Sequence, residues 1–179
     1  TGLVANTATA LNTGALRLQW TAVTGATGYS VYRNGVLLGT TATNSYTPAG
    51  VTYGSINSYY VVATDAVVSH TSVPSATISV GVYQGVAATD ARGREVYGQI
   101  QVFAIVSGGS ITGCWATYPT TSDSGPINRS AIPTLCSQTL TKQPTSATVA
   151  TLITNVSGAT ATSPAFRTSL QDALTQAGK

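Results

Sequence analysis

The chain has 179 residues and only 7% of them are charged, eight Lys and Arg against five Asp and Glu, for a formal net charge of +3. A soluble domain ordinarily carries about 25%; here Thr and Ser, 49 together, supply the polarity. Disorder is excluded, because disordered chains are charged and poor in β-branched residues. Nucleic-acid binding is excluded as well, since it needs clustered Lys and Arg and the densest basic grouping, Arg92-Gly93-Arg94, is followed at once by Glu95. No run of about 18 apolar residues offers a membrane-spanning helix. Short hydroxyl side chains suit strands and the outer faces of sheets, a composition common in secreted and cell-surface proteins. The absence of Met and of a leader pattern at Thr1 reads as a mature extracellular chain whose leader has been removed.

The length allows two small domains, and the pattern divides near residue 84. In the first part, strands are expected at 3–10, 15–20, 28–33, 36–41, 43–47, 58–65 and 73–82. The stretch Gly28-Tyr29-Ser30-Val31-Tyr32-Arg33 alternates with period two, and Asn34-Gly35 supplies the positive φ of a tight hairpin into Val36-Leu37-Leu38. Leu16, Leu18 and Trp20 alternate upstream; Tyr59, Val61 and Ala63 do so downstream. Short strands at this spacing point to a β-sandwich.

Residues 1–82 resemble a bacterial fibronectin type III domain. The resemblance rests on Trp20, on Gly28-Tyr29-x-Val31-Tyr32-Arg33-Asn34-Gly35, on Ser45-Tyr46-Thr47, and on Tyr59-x-Val61-x-Ala63-x-Asp65. It implies an antiparallel sandwich and says little about activity. Two positions depart from the family. Asn57 stands where a Tyr usually closes the corner before the sixth strand, and the following loop contains Val67-Val68 where turn residues are usual. Exposed valines there imply that something covers them.

In the second part, 86–179, Glu95 to Ser107 is a long strand that alternates on both faces, and Gly108-Gly109 returns the chain into a strand over 111–118. Residues 119–146, rich in Pro, Ser and Thr, are expected as a long irregular loop, and 147–156 as a further strand. Ser163 and Pro164 mark a helix start; Phe166, Leu170, Ala173, Leu174 and Ala177 form its apolar face, and Gly178 its stop. The expected fold class is therefore mainly β, a sandwich over 1–82 followed by a small α+β domain over 86–179.

Few residues could carry chemistry. Cys114 and Cys136 are the only cysteines, an even count that favours a disulfide clamping the irregular loop. Closing about 22 residues contributes ~3 kcal/mol on the chain-entropy model. A metal site lacks paired ligand spacing. His70 is the only imidazole, placed in a hairpin loop with no Gly-x-Ser-x-Gly elbow in the chain. The acids are Asp65, Asp90, Glu95, Asp123 and Asp172 alone, and no phosphate-binding or dinucleotide motif is present. Neither catalysis nor a cofactor is expected.

Tyr32 and Tyr60 project to one outer face with Ser30, Val62 and Thr64. That uncharged patch is either an interface, a platform for sugar rings, or simply a cross-strand pair. Asn128-Arg129-Ser130 and Asn155-Val156-Ser157 match the glycosylation acceptor pattern. The expected function is non-enzymatic and extracellular: a structural or adhesive subunit of a surface filament or pilus-like fibre, associating with itself or with other surface proteins through Tyr32, Tyr60, Val62, Val67 and Val68. The alternatives are a carbohydrate-binding accessory module of a secreted polysaccharide-degrading enzyme, or a viral decoration or fibre protein.

Overall fold

The computed structural model describes residues 2–7, 14–65 and 72–179, without the side chains of 5–7. Strands β1 (Val4–Thr7), β2 (Leu16–Gln19) and β5 (Ser45–Tyr46) form a three-stranded antiparallel sheet in the order β1-β2-β5. The larger sheet contains β3 (Gly28–Arg33), β4 (Val36–Thr41), β6 (Ile56–Thr64), β7 (Ile78–Gln84), β9 (Glu95–Ser107) and β10 (Ser110–Thr117), in the order β10-β9-β7-β6-β3-β4, with β8 (Ala88–Arg92) also pairing with β9. Helices α1 (Gly125–Lys142), α2 (Val149–Leu152) and α3 (Thr162–Gln176) complete the chain. The molecule is mainly β, a sandwich followed by a small α+β part.

The strands expected over 28–33, 36–41 and 95–107 have those limits. Asn34 and Gly35, with φ of 52° and 81°, make the predicted tight turn. Asn57 Oδ1 accepts from Asn34 Nδ2 at 2.9 Å, which ties the start of β6 to the β3–β4 turn. The loop with Val67, Val68 and His70 lies outside the described residues.

Two expectations are corrected. The segment 119–146 is not an irregular loop but contains α1, of 18 residues. Its buried positions are Gly125, Asn128, Ala131, Ile132, Leu135, Cys136 and Thr139, so three of the seven inward residues are not apolar and the helical period is faint in the sequence. Pro126 opens the helix, where a missing N–H costs nothing. The segment 147–156 is not a strand; it holds the single-turn α2, and Val149 and Ile153 are buried one turn apart in the helix-side core.

A single sheet joins the two parts, because β7 pairs with β9 over Val80↔Ser107 to Gln84↔Phe103. Strand β9 serves two cores. Ile100, Val102 and Ala104 pack beneath Phe166, Leu170 and Leu174 of α3, while Phe103 and Ile105 pack with Leu18, Trp20, Val31 and Val61 of the sandwich. The same edge of β9 is shared along its length, by β8 below and β7 above. At the handover the Gly85 N–H donates to Val102 O at 2.9 Å, and Val102 N–H donates to Ser169 Oγ of α3 at 2.8 Å. A Cβ on Gly85 would overlap the Ser169 carbonyl, so only glycine lets α3 come this close.

Phe166 is fully buried, and Phe166→Ala should cost about 3–5 kcal/mol as a core truncation. Both tryptophans, Trp20 and Trp115, sit in the other core. If the shared strand couples the cores, urea unfolding followed by tryptophan fluorescence moves by that whole amount; an unmoved tryptophan transition would show independent unfolding.

Candidate functional site

The hairpin of β8 and β9 carries the most distinctive polar site. Asp90 lies on the same inward face as Ala88 and is fully buried. Its partner across the ladder is Gly98, and the register slips there, leaving Tyr97 as the extra residue of a β-bulge. Gly98 has a φ of +136°, and a Cβ on it would strike the Pro119 ring, so the bulge requires glycine on both counts.

Helix α1 brings Asn128, also fully buried, against Asp90. Asn128 Nδ2 donates to Asp90 Oδ2 at 3.2 Å and to Ser124 Oγ at 3.1 Å. Its Oδ1 accepts from Thr162 Oγ1 at 2.7 Å, at the start of α3. A strand and two helices therefore meet at one amide. The network leaves one atom over: Asp90 Oδ1 is buried and has no hydrogen-bond partner. A carboxylate oxygen hidden from water without a donor is costly.

That carboxylate borders a cavity of about 140 Å³, whose walls include Arg92, Tyr97, Asp123, Ile127 and the loop Gly158–Thr162. A second hollow of about 310 Å³ adjoins it, sharing Ile127, Gly158 and Ala159 and adding Pro126 and Val156. The pair forms a groove with a polar end at Asp90 and an apolar end at α1. At the rim, Tyr97 Oη donates to Glu95 Oε2 at 2.7 Å, and this bond raises the phenol above its ordinary pKa. The cavity wall thus carries polar groups at Asp90, Arg92, Tyr97 and Asp123 beside the apolar Ile127. Among the described residues no cluster of His, Cys, Asp and Glu could hold a metal ion, and no helix is long and apolar enough to cross a membrane.

The sequence-predicted residues fall elsewhere. Tyr32 and Tyr60 stack on one another, centroids 4.7 Å apart and planes 7° from parallel, on the face of the large sheet beyond the helices. Val62 is half-buried opposite Ser30, and Leu37, opposite Tyr32, is exposed. Each tyrosine thus has one ring face occupied by the other. Val67 and Val68 lie outside the described residues. Cys114 on β10 and Cys136 on α1 are buried together as thiols in side-chain contact; burial pushes the Cys136 thiol well up, and its hydrogen bond with Cys114 adds to the shift. Asn155 is exposed and accepts from Arg167 Nη1 at 2.6 Å.

The Asn128 acceptor pattern is corrected: its amide is buried and fully engaged by Asp90, Ser124 and Thr162, so a glycan has no room on it in this fold. Sequence reasoning treated Asp90 only as one of five acids and passed over Ser124 and Thr162. The one available signal was Ala88-Thr89-Asp90, where the period-two pattern points an acid inward beside an alanine.

No family model matches the chain. Two curated proteins share part of it. An alpha-amylase of Niallia circulans is 44% identical over 62 residues, 33% of this chain and 5% of the amylase. A poly(3-hydroxybutyrate) depolymerase of Ralstonia pickettii is 39% identical over 71 residues, 40% of this chain and 14% of the depolymerase. The chain thus spans a small fraction of either relative.

Asn128→Ala strips Asp90 Oδ2 and Thr162 Oγ1 of their shared partner, and should destabilise by about 1–3 kcal/mol for each group left buried and unpaired. Urea unfolding checks it. Glu95→Gln should lower the Tyr97 titration towards the ordinary phenol value, because the carboxylate that raises it is gone; ultraviolet absorbance across alkaline pH reads this directly.

Proposed function

We propose that this chain is a non-catalytic, extracellular binding module of a longer protein. The sandwich, a fibronectin type III module on the resemblance above, serves as a spacer, and the second part holds a small hydroxyl-bearing ligand beside Asp90. The observation that carries this reading is Asp90, a fully buried acid among the residues lining a groove, with one oxygen that has no hydrogen-bond partner. Sugars and other polyols bring hydroxyl donors that a carboxylate accepts, and pockets with a few fixed polar groups on an apolar lining suit such molecules. The partial matches support the modular role, since the shared segment occupies 5% of an alpha-amylase and 14% of a poly(3-hydroxybutyrate) depolymerase. A segment of 62 to 71 residues is close to the length of the sandwich.

Native mass spectrometry of protein purified from its source, and titration with maltooligosaccharides, test the site. A retained small molecule, or saturable sugar binding, that Asp90→Asn weakens about 10- to 100-fold would support it, as expected for loss of a charged hydrogen-bond acceptor. Binding unaffected by Asp90→Asn would overturn it.

A second reading, a self-associating surface subunit, draws on the uncovered sheet face. Leu37 and Val36 are exposed on the edge strand β4, next to the stacked Tyr32 and Tyr60. Contacts of this kind persist in high salt, unlike ion pairs. Tyr60→Glu places an unpaired carboxylate in the patch and should dissolve any such assembly, at a cost of several kcal/mol per contact. Light scattering that shows the parent monodisperse at high concentration would remove this reading.

A further inference from the structure

Cys114 and Cys136, both free thiols, lie on two different elements of the fold. Cys114 is on β10, and Cys136 is on α1, the helix packed against that strand. Both side chains are within the helix-side core, and the thiols are already in hydrogen-bond contact. Eight residues earlier on α1, about two turns or roughly 12 Å away, sits Asn128, which shares the buried face. Between them lies Pro133, inside the helix. It cannot donate to the carbonyl one turn back, so α1 is weakest between its cysteine and its asparagine.

We propose that Cys114 and Cys136 close a disulfide as the chain folds in an oxidising compartment, and that this crosslink holds α1 on β10 so that Ser124 and Asn128 stay in place beside Asp90. In the reaction two thiols lose two protons and two electrons as the S–S bond forms. A small-molecule disulfide such as oxidised glutathione accepts them and leaves as two thiols. Timing follows from burial. Once α1 has docked, both sulfurs are shielded from oxidant and reductant, so exchange belongs to the folding reaction and the closed bond then resists reduction. The consequence for ligand binding rests on the Asp90 reading; the crosslink and its effect on α1 do not.

The test refolds the 179-residue chain from denaturant, once with oxidised and reduced glutathione and once with excess dithiothreitol. Peptide mapping without reduction should find Cys114 and Cys136 in one crosslinked peptide in the first sample, and Cys136→Ser should abolish it. Hydrogen exchange of the two wild-type samples should show the α1 amides, Asn128 included, exchanging on the order of a hundredfold more slowly when crosslinked. Tm should rise by roughly 6–12 °C. Two alkylatable thiols after oxidative refolding would overturn the proposal, and so would a crosslink that leaves exchange along α1 unchanged. Either failure leaves the Asp90→Asn comparison standing, because that comparison reads ligand retention alone.

Discussion

The structure depends on β9 burying both of its faces. An antiparallel strand ordinarily keeps one side wet, yet here Ile100, Val102 and Ala104 face the helices while Phe103 and Ile105 face the sandwich. Sharing a thirteen-residue strand makes every apolar side chain along its middle count in one core or the other. The arrangement also makes the second half of β9 an internal strand, because β7 and β8 divide one side of the strand and β10 takes the other. The short break between β7 and β8 is closed by Gly85 and by the Ser169 hydroxyl of α3, which stands in for the missing strand.

The same strand creates the polar site. Where the inward alternation of β9 would have continued towards its start, the bulge at Tyr97 and the constrained Gly98 turn the ladder, and the facing position on β8 is an acid. A buried carboxylate needs donors. Asn128 donates to one oxygen, and the other has no donor, in a residue that lines the groove. The groove is then a by-product of how α1 and α3 end beside the bulge, with Ser124 and Thr162 both near helix starts.

What was legible in the sequence follows from where periodicity survives. The strands at 28–33, 36–41 and 95–107 alternate cleanly and have the expected limits; α3 shows its apolar face through Phe166, Leu170, Ala173 and Leu174. Helix α1 was illegible because its inward face is built from glycine, asparagine and threonine as much as from leucine and isoleucine, with two prolines inside its span. The 147–156 segment misled for the opposite reason. Its β-branched residues favour a strand locally, but Val149 and Ile153 are needed one turn apart against the core, and packing overrides propensity. The site escaped because its key residues are 38 and 34 positions apart along the chain, Asp90 to Asn128 and Asn128 to Thr162, and no local pattern announces such a meeting.

The scarcity of charge gives the remaining acids their meaning. Glu95 accepts from Tyr97, and Asp172 Oδ2 accepts from Val86 N–H at 3.0 Å and Gln176 Nε2 at 2.8 Å, pinning α3 to the β7–β8 connection. These carboxylates act as local acceptors while hydroxyl groups cover the surface. Asp90 is the deepest of them, fully buried where Glu95 is exposed. Its second oxygen is the one carboxylate atom in the described core without a donor. In a chain that uses acids so sparingly, a fully buried acid with one oxygen lacking a donor is a costly placement, and it sits where the bulge at Tyr97 and Gly98 lets Asn128 of α1 and Thr162 of α3 close on the strand.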